Sequence, residues 1–145
     1  MSAKDLKALD RHFFEEWNKG KAAAMKALDE TCATNIVWHD VTGKDIRGLK
    51  DFKKSMDEFF NAFPDQHFAV DDMIAEGDKV AVRYKITGTH KGEFMGIPPT
   101  NKKITLTAIE IDRIVGGKFV EGLISFDTLG MMQQLGLAPT PGKGK

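Results

Sequence analysis

Apolar positions along the chain change period once, near residue 64, and the change divides the sequence into a helical half and a strand-rich half. Before it, Leu6, Leu9, Phe13 and Trp17 recur at three- and four-residue spacing, which predicts a helix over 3–18 with Ser2 as its N-cap. Asn18-Lys19-Gly20 closes that helix. A second, alanine-rich helix is predicted over 21–32, with Ala24, Met25 and Leu28 facing inward. A short strand over Asn35–Asp40 and a turn at Thr42–Asp45 follow. A third helix over 48–63 aligns Leu49, Phe52, Met56, Phe59, Phe60 and Phe63 in one stripe, and Pro64 stops it.

Past Pro64 the period is two. His67, Ala69, Asp71 and Met73 alternate with Phe68, Val70, Asp72 and Ile74, and Glu76-Gly77-Asp78 forms a hairpin turn. Val80, Val82, Tyr84 and Ile86 continue as a long strand. Further strands are predicted over 102–115 and 118–126, joined by the two-residue turn Gly116-Gly117. Asp127 caps a short helix over 128–135, and Pro139–Lys145 is a flexible tail. Three helices, one after a short strand, followed by an antiparallel meander make an α+β domain over residues 1–138, with helices on one face of a curved sheet.

Two strands carry apolar residues on both faces. In 102–115, Ile104, Leu106 and Ala108 share a phase with Glu110 and Asp112, while Thr105, Thr107, Ile109 and Ile111 occupy the other. In 118–126, Val120, Gly122, Ile124 and Phe126 alternate with Phe119, Glu121, Leu123 and Ser125. A bulge near Ala108, or an oligomer interface on the outer face, would each explain this pattern, and it points to a homodimer. The connection Gly88–Thr100 is longer than the two to five residues a hairpin needs. It contains three glycines, Pro98-Pro99 and an exposed Phe94-Met95 pair, and loops of that length in a compact domain tend to serve function.

Composition narrows the partners. The 145 residues suffice for one domain, and 21 basic against 21 acidic side chains give no net charge. Such balance argues against a nucleic-acid surface and against a polybasic membrane site. The single cysteine, Cys32, forms no intramolecular disulfide and fits a reducing compartment. The N-terminus lacks an apolar leader segment, so a cytoplasmic protein with no membrane partner is expected.

The ionisable residues offer few sites. Glu110 falls on an apolar phase, where a carboxyl has a raised pKa suited to a general base; the alternative is that a bulge turns it outward to a Lys or Arg. His39 and Asp40 end the first strand, either at a pocket mouth beside Glu110 or in a simple turn. His90 braces the long loop or donates to a ligand, while His12 and His67 face solvent. No His, Asp or Glu set has metal-ligand spacing. Trp17, Phe63 and Tyr84 are core residues that would also wall a pocket. The Lys4, Lys7, Arg11, Asp10 and Glu15 surface of the first helix reads as solvated, and Asp112 and Arg113 as pairing with neighbours on the sheet.

Several runs together resemble one family: Val37-Trp-His-Asp40, Gly48–Phe52, Gly88-x-His90-x-Gly92-x-x-x-Gly96-Ile-Pro-Pro-Thr100, Arg113-Ile-x-x-Gly117-Lys with Glu121, and Asp127-x-Leu-Gly-x-x-x-Gln134-Leu-Gly136. Across about residues 5–137 the chain resembles the SnoaL-like polyketide cyclases and ester-cyclase-like proteins of the NTF2-like superfamily. The resemblance implies a cone: a strongly curved, mostly antiparallel sheet wrapped round helices, with an internal apolar pocket and a short C-terminal helix. It implies a homodimer through the outer sheet face and cofactor-independent acid/base chemistry on a small apolar carbonyl compound, as in a lyase or isomerase of polyketide-cyclase type, with no metal or organic cofactor. Carried over position by position, the family's acid falls on Ile124, its histidine on Glu110, and the His-Trp pair of the ester-cyclase-like branch on Gly122-Leu123.

Two functions follow. In the first, Glu110 is the base, His39 or Tyr84 supplies a hydrogen bond to the oxyanion, and Trp17, Asp40, Phe63, Tyr84, Phe94, Met95, Ile124 and Phe126 contact the substrate. In the second, the domain binds a ligand or serves as a dimeric scaffold without turnover, because isoleucine at 124 moves no proton.

Overall fold

The computed structural model describes residues 1–141. Helix α1 spans Ala3–Trp17 and opens with a reciprocal cap, in which Ser2 Oγ accepts from the Asp5 N–H and the Asp5 carboxylate accepts from the Ser2 N–H, both at 3.1 Å. Helix α2 is Lys21–Thr31, and strand β1 runs from Cys32 to His39, beginning three residues before the expected start. Strand β2, Asp45–Arg47, follows the turn at 41–43 and pairs antiparallel with β1, which extends the expected turn into a hairpin. Helix α3 is Leu49–Ala62. Strands β3 (His67–Glu76), β4 (Lys79–Thr89), β5 (Lys103–Val115) and β6 (Lys118–Phe126) form the meander, and α4 covers Thr128–Gln134.

The six strands form one mixed, curved, unclosed sheet in the order β2-β1-β6-β5-β4-β3. Every pair is antiparallel except β1 with β6. The concave face holds the core. From β5 it receives Ile104, Leu106, Ala108, Glu110, Asp112 and Ile114, an unbroken alternation, so no bulge interrupts the strand near Ala108. Bulges occur elsewhere. One between Val70 and Asp72 moves the inward phase of β3 from Phe68 to Met73. Another, opposite Arg113 and Ile114, moves that of β6 from Phe119 to Gly122. Each extra residue bends its strand and strengthens the local twist, which is how the sheet wraps round the helices.

Helix α1 lies across β3 and β4, and α3 packs on β1. The buried stripe of α1 is Leu6, Asp10, Phe14 and Trp17, with Leu9 and Phe13 at its margin. This corrects the expected stripe in two respects. Phe14 joins the inward face fully buried, with Phe13 half-buried beside it on the core margin, and Asp10, expected on the solvated surface, is wholly buried. Aromatic rings join the layers: Phe14 lies 5.0 Å from Tyr84, and Trp17 lies 5.0 Å from Phe60 and 5.7 Å from Phe68.

Among the described residues, no helix is long and apolar enough to cross a membrane. Of the expected tail, residues 142–145 lie outside the described part.

Candidate functional site

A cavity of about 730 Å³ opens between the sheet, α1, α3 and the 88–100 loop. Trp17, Asp40, Tyr84, Phe94, Met95, Glu110, Ile124 and Phe126 all line it. Two expected members do not. Phe63 stands behind the wall, with its ring 5.4 Å from that of Phe94 and stacked at 5.4 Å on His90. His39 is out of phase with the cavity-lining Ile36 and Trp38, and its ring lies between two carboxylates. Its Nδ1 is 2.7 Å from Asp45 and its Nε2 is 2.8 Å from Glu121. These partners, Glu121 foremost, raise the His39 pKa by favouring imidazolium. The expected His39–Glu110 pairing is therefore absent, for a reason of strand parity.

Glu110 points inward. It is 7 % exposed, and one of its carboxylate oxygens accepts from the Tyr84 hydroxyl at 2.8 Å. Burial raises the Glu110 pKa, while hydrogen bonds from Asp112 and Tyr84 act against the rise. Asp112 follows on the same face, 4 % exposed, and Asp10 reaches the pair from α1. Burial, reinforced by the charges of Glu110 and Asp10, drives the Asp112 pKa well up. Asp10 is raised to about 7, chiefly by burial. Three carboxyls cannot all ionise in so small a dry space. Asp112, pushed upward by both neighbours, is the member that carries a proton, and Glu110, held by two donors, is the one best placed to be an anion. The Tyr84 hydroxyl stays neutral because burial and the adjacent Glu110 oppose its ionisation.

Asp10 and Asp112 were not among the expected site residues. A signal for Asp10 exists in the sequence: it sits four residues from both Leu6 and Phe14, in the middle of an apolar stripe. Its raised pKa has a consequence for stability. A carboxyl whose folded-state pKa exceeds its unfolded value stabilises the fold below the ordinary 3.8 and loses that contribution as pH rises through about 7. Wild type should therefore lose thermal stability between about pH 5 and about pH 8. Asp10→Asn, which has no charge to form, should lose clearly less in a paired melting experiment; equal losses would contradict the burial of an ionisable Asp10.

A further polar group has no partner. The Trp38 indole N–H is buried, lines the cavity and meets no acceptor among the described residues. Trp38, Gly122 and Asp112 are aligned across β1, β6 and β5. A Cβ on Gly122 would come within 2.6 Å of the Trp38 ring and 3.0 Å of Asp112, so glycine there lets the indole and the carboxyl converge. Cys32 also lines the cavity, but burial pushes its thiol up to about 12, which leaves it protonated and unreactive.

The 88–100 loop forms one side of the mouth. Lys91 and Gly92 donate to the Ala62 carbonyl, and a Cβ on Gly92 would lie 2.4 Å from the Asn61 carbonyl oxygen, so the loop docks on the end of α3 through a glycine. His90 Nδ1 accepts from the Thr100 N–H at 3.2 Å, fastening the loop's base. Phe94 and Ile97 exchange backbone hydrogen bonds across Met95-Gly96, both at positive φ, in a tight tip that overhangs the cavity. Among the described residues, no group of three or more His, Cys, Asp or Glu is arranged to hold a metal.

Comparison with known proteins agrees with this architecture. The family model described as SnoaL-like polyketide cyclase matches residues 7–135. AclR of Streptomyces galilaeus, provisionally designated a hydroxylase, is 30% identical, with 98% of this chain and 91% of that one covered and a TM-score of 0.84. IdmH of Streptomyces antibioticus, provisionally designated a polyketide cyclase, is 28% identical over 90% of this chain and 98% of its own, with a TM-score of 0.76. A SnoaL-like protein from a Jannaschia species superposes with a TM-score of 0.86 at 21% identity, covering 95% of each chain, a likeness of fold. No curated protein matches the sequence.

Proposed function

The chain belongs to the SnoaL-like polyketide cyclase family, and from that premise we propose that it catalyses cofactor-independent proton transfer on an apolar carbonyl compound held in the cavity. The observation that carries the reading is the buried Tyr84–Glu110 hydrogen bond of 2.8 Å on the cavity wall. Glu110 removes a proton from the carbon beside the carbonyl. The C–H electron pair moves into the C–C bond, and the carbonyl oxygen becomes an enolate. The Tyr84 hydroxyl is committed to Glu110, so the free donor for that oxygen is the Trp38 indole N–H, whose acceptor is otherwise missing. Attack of the enolate carbon on a second carbonyl of the same molecule closes a ring, the C=O electron pair moving onto oxygen and the resulting alkoxide taking the proton back from Glu110; return of that proton at another carbon instead gives an isomer. Glu110 thus does the work of the family's acid, whose position is filled by Ile124. Trp17, Phe94, Met95, Ile124 and Phe126 pack the apolar body, Asp40 stands at the mouth, and Phe63 supports Phe94 from behind.

The test is hydrogen–deuterium exchange beside the carbonyl of a bicyclic ketone such as tetralone, followed by proton NMR in deuterated buffer. The protein should accelerate exchange over buffer, and a saturating inert hydrocarbon ligand should suppress the acceleration. Binding of the ketone with no acceleration would favour the alternative, a ligand-binding domain without turnover.

We also propose a homodimer through the outer sheet face. A cross-strand row of His39, Leu123, Ile111, Ala81 and Ile74 crosses that face, with Ile109 beside it. Leu123 is 40 % and Ile109 52 % exposed, more apolar surface than an isolated sheet needs to show. Wild type should have twice the chain mass in light scattering, and Ile109→Asp with Leu123→Asp should run as a folded monomer. A monomeric wild type would contradict this interface.

A further inference from the structure

The charge of the cavity wall is one-sided in a chain whose total charge is zero. Asp40, Glu58, Glu93, Glu110 and Asp112 line it, with Glu121 beside them but paired to His39 behind the wall, and no lysine, arginine or histidine lines it. These carboxyls come from the turn after β1, α3, the 88–100 loop, β5 and β6, so the asymmetry belongs to the cavity and not to one element. Among them Asp112 is 4 % exposed, and its Oδ2 meets no donor among the described residues. Neither do the two oxygens of Asp10 behind it. Around this acidic centre the wall is aromatic, with Phe13, Phe14, Trp38, Phe119 and Tyr84 among its rings.

Resting on the catalytic reading above, we propose that the carbonyl substrate also carries an amine: it is an apolar, ring-bearing aminoketone, bound as its ammonium ion with the charge against Asp112. Three physical terms favour that class. Low-dielectric walls lined by one sign of charge concentrate the field of the carboxyls on a cation. Ring faces attract an ammonium group, more strongly when it is stripped of water. The ammonium N–H groups supply the donors that the Asp112 oxygen lacks, and removing an unmet buried acceptor recovers its desolvation cost. The groups facing Asp112 are Asp10 from α1, Glu110 on its own strand, Tyr84 from β4 and the Trp38 indole from β1. None can become a cation, so an arriving ammonium meets no like charge. The shared proton leaves to solvent as the ion pair forms, conserving charge in the cluster, and the amine's field then helps keep Glu110 ionised as the base. Ligands with a carboxylate or phosphate are rejected for the same reason.

The experiment titrates the protein at neutral pH with three probes of one shape: anthracenylmethylamine, anthracenemethanol and anthracenecarboxylate. Trp17 and Trp38 are the chain's two tryptophans and both line the cavity, so their emission reports occupancy by energy transfer to the probe. The amine should bind about tenfold or more tightly than the alcohol, and the carboxylate about tenfold or more weakly than it. In Asp112→Asn, which keeps the shape of the protonated side chain but forms no anion, the amine's advantage should shrink to about threefold or less. An alcohol that binds as tightly as the amine would overturn the inference and leave the catalytic reading intact. So would a folded Asp112→Asn with undiminished preference. Failure of all three probes to bind would overturn the inference, while the catalytic reading is decided separately by the ketone exchange. If Asp112→Asn does not fold, the wild-type order alone decides.

Discussion

Glu110→Gln is expected to lower carbonyl-side proton exchange by about 10²–10⁴-fold, the usual worth of a positioned general base. Ketone binding should change little. Glutamine has the same shape, can still accept from the Tyr84 hydroxyl and fits the same aromatic surroundings, but its amide takes no proton at neutral pH. The loss should appear in the rate at saturating ketone and not in the apparent affinity, because the missing interaction is made only as the proton moves. Tyr84→Phe should give a smaller loss, since it removes a donor to the base and leaves the base in place. A Glu110→Gln rate within a factor of about two of wild type would move the chemistry to another residue.

Trp17→Ala should be the most destabilising of the simple cavity-wall substitutions, by about 3–5 kcal/mol in urea unfolding. Trp17 is 2 % exposed, and its ring bridges α1 to Phe60 of α3 and Phe68 of β3. Its indole N–H donates to Gln66 Oε1 at 2.8 Å, while the Gln66 amide donates to the Phe59 and Phe63 carbonyls. Truncation therefore enlarges the cavity and also strands a buried acceptor, and each effect costs stability. Leu129→Ala, at a side chain 62 % exposed on α4, is the control and should change stability by no more than about 0.5 kcal/mol. A Trp17→Ala loss below about 1 kcal/mol would mean that α1 is held to the sheet by other contacts.

Much of this architecture is legible in the amino-acid order because side-chain period reports which face a residue occupies. The shared phase of Ile104, Leu106, Ala108, Glu110 and Asp112 is enough to place Glu110 inside. The same parity, applied to Ile36 and Trp38, puts His39 on the other face and so keeps it from Glu110. Asp10 was hidden for a different reason. A lone carboxylate among lysines and an arginine looks solvated, and the carboxyls it faces, Glu110 and Asp112, lie about a hundred residues away in sequence. The bulges at Asp71 and Val120 have no side-chain signature, since the extra residue is a backbone event that bends the strand. Strand β2, three residues long, is too short to show a period and exists because β1 offers it an edge.

The most direct test of the central claim is the pH–rate profile of carbonyl-side exchange in wild type and Glu110→Gln, measured side by side under saturating ketone. Burial holds the Glu110 carboxyl above the ordinary glutamate range, and only its ionised form can accept a proton. The wild-type rate should rise with pH through an apparent pKa above that range and then level, while Glu110→Gln should stay near the buffer rate at every pH. A Glu110→Gln profile that rises as the wild-type profile does would contradict the assignment of Glu110 as the base.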